Sequence, residues 1–287
     1  MARTLEPYQL VERSIITKYR KVLWNPFIEA VKRYEMIQLG DRIAVCISGG
    51  KDSILLAKLM QQLQKHSDFP FELVFLVMDP GYNELNRRKI ESNAALLNIP
   101  VTIFESDIFE VADSAGKSPC YLCARMRRGY LYSRAQELGC SKIALGHHFN
   151  DVVETTLISM FYGSQLQAML PKLHSTNFEG MTLIRPLYCV HEDDIIAWAR
   201  DNSLEFIQCA CRLTERSAAD TGDVNVSKRK EIKLLLRRLR QGNPNIEKSI
   251  FNSIHAVALD TMPGFKTGGV EHSFLERFNA MESTEAE

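Results

Sequence analysis

The sequence predicts an α/β protein with a doubly wound, mostly parallel sheet and helical extensions at both ends. From residue 41 onward, short apolar, β-branched runs alternate with stretches that carry leucines at helical spacing. Such alternation is typical of parallel strands joined by crossover helices. The strand-like runs are continuously apolar, which indicates a sheet covered by helices on both faces.

Each element has its own signal in the sequence. Strands are predicted where a short apolar run ends at turn-forming residues, at 41–47, 71–77, 101–105 and 142–146. Helices are predicted where apolar residues recur at helical spacing, at 53–65, 84–98, 122–138, 150–162, 192–202, 226–241 and 246–259. One or two amphipathic helices are expected before residue 40.

These elements predict four parts in the chain. They are a helical segment at 1–40, an α/β domain at 41–210, a basic helical region at 211–270 and an acidic tail at 271–287. The tail holds five glutamates against one arginine, and we expect it to be disordered.

Composition excludes several classes of protein. The 287 residues are 45% hydrophobic and 24% charged, as in globular proteins, which argues against a fibrous or largely disordered chain. Lysine plus arginine number 35 and so do aspartate plus glutamate, so a uniformly basic nucleic-acid-binding protein is excluded but a locally basic one is not. No apolar run approaches the ~18 residues of a membrane helix, and the N-terminus lacks the apolar core of a signal peptide. A cytoplasmic protein with no membrane partner is expected.

A glycine-containing loop follows the first predicted strand. Its residues are Ser48, Gly49, Gly50, Lys51, Asp52 and Ser53. Open α/β sheets bind ligands beyond the carboxyl ends of their strands. The glycines allow successive N–H groups to point at one anion, and the following helix adds its partial positive charge. The loop therefore predicts a phosphate site, although it lacks the GxxxxGK[ST] pattern of another phosphate loop.

Two cysteines, Cys120 and Cys123, precede an arginine-rich segment. Four arginines and no acidic residue lie between 120 and 136. A C-x-x-C pair can bind one metal or iron–sulfur cluster, or act as a redox dithiol. Nearby cations favour the thiolate, which is the ligating form, and they also suit a phosphate backbone.

A second pair, Cys209 and Cys211, offers further ligands. Two pairs together would make a closed zinc site of the structural type. Three cysteines would instead leave one position of an iron–sulfur cluster open. The other three cysteines follow apolar patterns and are expected to be small buried hydrophobic residues; they are Cys46, Cys140 and Cys189.

Two further features leave alternatives open. The segment at 227–240 holds seven Lys or Arg residues, and it is either the solvated face of an amphipathic helix or a contact for an RNA backbone.

His147 and His148 follow a predicted strand. A histidine in that position is either a polar residue with its hydrogen bonds satisfied or a group that contacts phosphate or donates a proton.

Taken together, the motifs resemble those of the tRNA 2-thiocytidine synthetases, a family of PP-loop (N-type) ATP pyrophosphatases. The resemblance covers about 40 to 260 and rests on SGGKDS, CYLCARMRRGYLY, KIALGHHFNDVVETTLISMFYG, MLPKL and IRPLYCVHEDDI. It implies ATP and Mg²⁺ as cofactors for adenylating the C2 oxygen of a cytidine in the tRNA anticodon loop. It also implies replacement of that oxygen by sulfur, a [4Fe–4S] cluster on three cysteines, a cysteine desulfurase as sulfur donor, and a homodimer.

The resemblance also assigns residues. Ser48, Gly49, Gly50, Lys51, Asp52 and Ser53 would bind the phosphates, with Lys51, Asp52 and Asp151 catalytic. Val77 and Asp79 would lie at the adenine, and Gly146 and His147 would border the nucleotide. Cys120, Cys123 and one of Cys209 and Cys211 would hold the cluster.

This sequence departs from the family pattern at two places. Asn150-Asp151 stands where the family usually has Asp-Asp, and an asparagine can coordinate a metal with less charge. A C-x-C replaces the later C-x-x-C, and Cys209 is favoured as the ligand because it follows an apolar run. The alternatives are a thiouridine synthetase of the same superfamily and a zinc-stabilised, non-enzymatic RNA-binding protein.

Overall fold

The computed structural model describes residues 5–106, 108, 119–207 and 228–284. The chain divides into two compact units, Met1–Lys233 and Leu234–Glu287, and each is described by itself. Cys209, Cys211 and the predicted domain boundary at 210–211 lie outside the described residues, as do the side chains of Cys120 and Cys123.

A six-stranded sheet forms the centre of the first unit. Its strands are β1 (Arg42–Ile47), β2 (Glu72–Asp79), β3 (Val101–Glu105), β4 (Lys142–Ala144), β5 (Lys172–His174) and β6 (Thr182–Ile184). They lie in the order β3-β2-β1-β4-β6-β5, and all neighbours are parallel except β5 and β6. The predicted fold class, a doubly wound and mostly parallel sheet, is confirmed.

Helices connect these strands and precede them. They are α1 (Pro7–Ile16), α2 (Asn25–Arg33), α3 (Lys51–His66), α4 (Glu84–Leu96), α5 (Pro119–Glu137), α6 (Phe149–Gly163) and α7 (Glu192–Asp201), with a π-helical turn at Arg20–Trp24. A further helix, α8 (Lys228–Gly242), begins in this unit. None of the described helices is long and apolar enough to cross a bilayer.

The order of the strands locates the crevice where ligands bind. From β1 the chain first builds outward through β2 and β3, and then returns to add β4 on the other side. A crevice opens at such a switch point, outside the carboxyl ends of the strands. The loops after β1 and β4, which carry the phosphate motif and His147, therefore meet at one place.

A buried lysine attaches the N-terminal helices to the sheet unit. The Lys58 side chain on α3 is fully buried, and its Nζ donates to Glu12 Oε1 of α1 at 2.8 Å. It also donates to Gln61 Oε1 at 2.7 Å and to the Leu97 carbonyl oxygen at 2.8 Å. A buried charge needs such partners, so these contacts fix α1 against α3.

The second unit includes residues 271–284 of the predicted acidic tail. It contains the rest of α8, α9 (Ile246–Ser253), a 3-10 turn at Leu259–Thr261, a hairpin of β7 (Gly264–Thr267) and β8 (Val270–Ser273), and α10 (Phe274–Thr284). Gly268 and Gly269 turn the hairpin at φ values of +57° and +82°. Arg277 of α10 donates to the Leu259 and Met262 carbonyl oxygens, which ties the helix to the unit.

Candidate active site

Glycine is required at the first turn of the phosphate loop. Gly49 has φ +82°, a left-handed conformation that residues with a Cβ rarely adopt. A Cβ built there would lie 2.6 Å from Ile207 Cδ1 and 2.7 Å from Ile90 Cγ1. The next residue, Gly50, is the N-cap of α3, so the loop delivers the backbone directly to a helix N-terminus.

A serine hydroxyl closes this loop on itself. Ser53 Oγ donates to the Gly50 carbonyl oxygen at 2.9 Å and accepts the Ser48 N–H at 3.1 Å. Ser48 Oγ lies 3.3 Å from the same hydroxyl. Ser53 is buried, so the shape of the loop is set by its own hydrogen bonds.

The loop after β4 approaches the phosphate loop very closely. A Cβ on Gly146 would lie 3.1 Å from Ser53 N and 3.2 Å from the Asp52 carbonyl carbon. Only glycine allows this approach without moving the backbone of either loop. The two predicted nucleotide-binding segments therefore touch at the N-terminus of α3.

The two histidines after β4 have different roles. His148 is buried and forms a capping box at the start of α6: its Nδ1 accepts the Asp151 N–H at 3.4 Å, and Asp151 Oδ2 accepts the His148 N–H at 3.1 Å. Of the two interpretations of a histidine at a strand end, His148 fits the satisfied polar residue. His147 instead lines a cavity.

Asn150, where the family pattern has a second aspartate, joins two helices. Its Oδ1 accepts the backbone N–H of Glu192 at 2.9 Å. This bond brings the N-terminus of α7 to the N-terminus of α6. The Glu192 carboxylate thereby reaches the site, although it lies 42 residues from Asn150 in sequence.

Three carboxylates and three cations form one network beside the loop. Lys51 Nζ lies 3.2 Å from Asp52 and 3.1 Å from Glu192 Oε1. Lys233 of α8 bonds Glu192 Oε2 at 3.0 Å, and Arg229 of α8 bonds Asp151 Oδ1 at 2.7 Å. The positive charges are close to the carboxylates they neutralise, so the predicted basic segment contributes directly to this site.

The network separates the pKa values of two buried carboxyl groups. Burial alone would raise the pKa of Glu192, but Lys233 and Lys51 hold it at about 2. Burial raises the pKa of Glu154 to about 7, although Lys233 and Arg229 lie 3.6 and 3.7 Å from its oxygens. Glu154 Oε2 accepts no hydrogen bond. Glu192 is therefore fully ionised at neutral pH, while Glu154 is only partly so.

One carboxylate oxygen of Asp52 has the position and the chemistry to bind a divalent cation. Its Oδ1 is buried and accepts no hydrogen bond, although Lys51 Nζ is within ion-pair distance. Within the described residues, no three His, Cys, Asp or Glu side chains are grouped to hold a metal by themselves. Mg²⁺ usually takes one or two protein carboxylates together with substrate phosphates and water. A single well-placed aspartate beside a phosphate loop fits that donor set.

A cavity of about 1090 Å³ runs from the phosphate loop to α5. At the end of β2 it is lined by Met78, not by Val77 or Asp79. The Asp79 carboxylate is occupied, since it accepts the Gly81 and Tyr82 N–H groups at 2.9 and 2.7 Å and a bond from Arg87 at 2.6 Å. Asp79 therefore caps a turn, and its assignment to adenine stays a prediction.

Sequence comparison decides the family. A model of the PP-loop domain matches residues 21–214. The chain is 35% identical to the tRNA-cytidine(32) 2-sulfurtransferase of Geobacter metallireducens and 37% identical to that of Geobacter sulfurreducens. Each match covers 83% of this chain and 90% of the relative. The chain belongs to the tRNA-cytidine(32) 2-sulfurtransferase family of PP-loop proteins. The resemblance seen in the motifs is confirmed.

A solved structure agrees with this family fold. The U34-tRNA thiolase NcsA from Methanococcus maripaludis, solved with its [4Fe–4S] cluster, matches with a TM-score of 0.62. The match covers 84% of this chain and 80% of NcsA at 19% identity. At that identity the likeness shows the fold alone.

In this member of the tRNA-cytidine(32) 2-sulfurtransferase family, the paired cysteines begin a helix. The backbone at Cys120 and Cys123 belongs to the first turn of α5, so the two residues are nearly one turn apart. Arg125, Arg127 and Arg128 follow on the same helix and line the cavity. The cysteine pair therefore lies next to the cavity along the chain, and its role as cluster ligand stays a prediction.

Sequence reasoning missed several residues of this site. They are Glu154, Arg185, Glu192 and Lys233. Glu154 could have been found, because it lies about one turn after Asp151 on α6. The others lie on elements brought in by long-range packing, and single-sequence patterns carry no signal for that.

Proposed function

We propose that this chain is an ATP-dependent tRNA sulfurtransferase that makes 2-thiocytidine. It adenylates the C2 oxygen of a cytidine in the anticodon loop, releases diphosphate, and then replaces the activated oxygen with sulfur, releasing AMP. One observation supports this most directly: a single cavity joins the phosphate loop to the arginine-rich helix that begins with the cysteine pair. The family to which the chain belongs carries the same name for its activity.

The phosphate loop is suited to hold the diphosphate that leaves. A ring oxygen is a poor leaving group, so it must first be joined to AMP. The N–H groups at the N-terminus of α3 and the Lys51 ammonium neutralise charge on the departing diphosphate. Asp52 and Asp151 would hold the Mg²⁺ that neutralises the rest. Removing one such donor from a dry site lowers the rate by roughly a hundredfold.

The cysteines would hold the [4Fe–4S] cluster. Cys120, Cys123 and one of Cys209 and Cys211 supply three thiolates, and the arginines of α5 favour the thiolate form of the first two. When bound, the cluster supplies a protected place for the sulfur atom. A cysteine desulfurase as sulfur donor, a homodimer and a cytoplasmic location complete the proposal, and these three rest on the resemblance in sequence.

The proposal is tested in cells that lack their own 2-thiocytidine synthetase. Mass spectrometry of tRNA nucleosides should find 2-thiocytidine restored by the wild-type chain and by Cys189→Ser, but not by Cys120→Ser. Thiouridine in place of 2-thiocytidine would show that the target base is wrong. Normal thiolation by Cys120→Ser would exclude the assigned role of the cluster.

The metal content of the purified protein gives an independent test. Protein prepared without oxygen should contain about four irons and four sulfides per chain, as a [4Fe–4S] cluster requires. Single serine variants of Cys209 and Cys211 should identify the third ligand, because only one of them should lose iron. Stoichiometric zinc without sulfide would instead favour a structural metal site.

A further inference from the structure

The end of the cavity away from the phosphate loop is lined by arginines. Arg185, just after β6, lies on its wall, and Arg125, Arg127 and Arg128 of α5 lie nearer the exposed mouth. In the part of the chain that the structure describes, none of these four guanidinium groups forms an ion pair with a carboxylate. We call this region the arginine arm.

The charge of Arg185 is not neutralised by the groups it contacts. Its Nε donates to His147 Nδ1 at 3.3 Å, and its Nη1 donates to the Leu170 carbonyl oxygen. Both acceptors are uncharged. Burial, together with the nearby Arg128, lowers the pKa of Arg185 to about 10, so it remains charged at neutral pH. A half-buried charge without a counter-ion is costly, and an anion in the arm would remove that cost.

The shape of the arginine arm distinguishes it from the phosphate loop. Tyr132 and Phe178 stack at 5.1 Å between ring centroids and 11° between planes, and they line the arm. His147 and Gly146 lie between the arm and Ser53. Guanidinium groups fit phosphate oxygens through paired hydrogen bonds. The arm therefore offers one anion site in addition to the one at the loop.

We propose that Arg185 and Arg128 bind a phosphodiester group of the RNA strand next to the nucleotide that reacts. This rests on the proposed function, since it takes the polynucleotide to be the anionic substrate. The exposed position of Arg128 at the mouth allows a continuous strand to pass, and Arg185 lies deeper, beside His147. The strand backbone is held in the arm, and the base is directed toward the nucleotide at the phosphate loop.

The arginine arm also suits the phosphates of ATP. Binding measurements show whether RNA or ATP is the anion that it binds. The affinity of an anticodon stem-loop RNA is measured without ATP over a range of salt concentrations, and the affinity of ATP is measured without RNA. The variants are Arg185→Gln and Arg128→Gln. The matched control is Arg134→Gln, since Arg134 is on the same helix but outside the cavity and is paired with Glu137 at 2.6 Å.

Each arm variant should weaken RNA binding about tenfold, the effect of losing one charge-assisted hydrogen bond. Each should also reduce the slope of log K against log salt by about one, since one phosphate contact is lost. ATP affinity, and both affinities of Arg134→Gln, should stay within about twofold of wild type. Because Arg128 is exposed, its variant keeps the test valid even if Arg185→Gln does not fold.

Two results would overturn the proposal: an unchanged salt slope in the arm variants, or weaker ATP binding with RNA binding unaffected. The assay also separates this proposal from the proposed function. RNA binding with the reduced slopes, in a protein that does not thiolate RNA, would support the arm and refute the sulfur chemistry. A wild-type protein that binds no RNA would refute both.

Discussion

The imidazole of His147 is held in one tautomer by its neighbour. Arg185 Nε can only donate, so His147 Nδ1 must be the acceptor of their bond. Burial, with a contribution from Arg185, lowers the pKa of His147 to about 4. The ring is therefore neutral at pH 7 with its proton on Nε2.

We expect nitrogen NMR of labelled protein to show this tautomer directly. The His147 signals should remain those of the neutral Nε2–H form from pH 8 down to about pH 5. In Arg185→Gln the pKa should rise toward the ordinary 6.5, since one opposing charge and one donor are removed. A wild-type ring that already titrates near pH 6.5 would contradict the assignment.

Glu154 gives the stability of the protein an unusual pH dependence. Its folded-state pKa, about 7, is above its ordinary 4.5, so the folded state binds more protons between these values. Stability from this group is therefore present below pH 4.5 and is lost as the pH rises through 7. When the pH rises from 5 to 8, ionisation of Glu154 should lower the free energy of unfolding of the wild-type protein by on the order of 2 kcal/mol.

Urea unfolding at pH 5 and pH 8 measures this effect. Glu154→Gln removes the ionisation, so the difference in unfolding free energy between the two pH values should change by that amount relative to wild type. Glu137→Gln, at an exposed position on α5, is the control and should leave the difference unchanged. If the two variants behave alike, Glu154 does not titrate in this range.

Among the elements, the contact between the loop after β4 and the N-terminus of α3 is the most sensitive to a small change. Gly146→Ala places a methyl group where the Ser53 backbone already lies at 3.1 Å. The loops must separate by a few tenths of an ångström. Because a misplacement of about 1 Å lowers a rate roughly a hundredfold, this smaller shift should lower it several-fold. The matched control is Gly163→Ala at the end of α6, because no atom lies within 4 Å of the added Cβ.

Steady-state release of diphosphate in the presence of ATP and tRNA is the measurement. We expect a several-fold loss of kcat/KM for Gly146→Ala, with wild-type values and unchanged thermal unfolding for Gly163→Ala. Equal activity of the two variants would show that this close approach is not needed for the reaction.

The elements differ in how well the sequence predicts them. β1 and α3 have strong signals, because an apolar run, a glycine loop and a leucine-rich helix follow one another between residues 42 and 66. β5 was not predicted, since three residues, Lys172–His174, are too few to show an alternating pattern. The β7–β8 hairpin carries a Gly-Gly turn signal, but it was not predicted, because it crosses the boundary at 270–271 between the predicted helical region and the predicted tail.

The sequence likewise predicts some residues of the candidate site and not others. The phosphate loop, Gly146 and His147 were predicted because each belongs to a local motif after a strand. Glu192 and Lys233 were not predicted as site residues, because only folding brings α7 and α8 to Lys51. Short-range patterns specify the loops of this fold, and long-range packing specifies the charges around them.

At the scale of the whole molecule, Lys58 connects the N-terminal helices to the sheet unit. Removing its buried ammonium breaks three hydrogen bonds, to Glu12, Gln61 and the Leu97 carbonyl oxygen, which together contribute about 3–5 kcal/mol. We expect Lys58→Met to lower the free energy of unfolding by that amount. Lys65→Met is a stringent control, since Lys65 bonds the other oxygen of Glu12 at 2.8 Å from an exposed position. Lys65→Met should lower the free energy of unfolding by less than about 1 kcal/mol.

Denaturant unfolding with a double-mutant cycle through Glu12→Gln checks this interpretation. The coupling energy of Lys58 with Glu12 should be larger than that of Lys65 with Glu12. Similar coupling energies would show that burial adds nothing to this contact, and that α1 is held by its apolar face alone.

The closed hydrogen bonding of Ser53 has a consequence for the thermodynamics of nucleotide binding. Because the loop already satisfies its hydroxyl groups internally, its backbone is ordered before any ligand arrives. Little conformational entropy remains to be lost on binding, so little of the interaction energy is consumed in ordering the protein. Association should then proceed in a single kinetic phase whose rate depends on encounter with ATP, without a slower rearrangement of the loop.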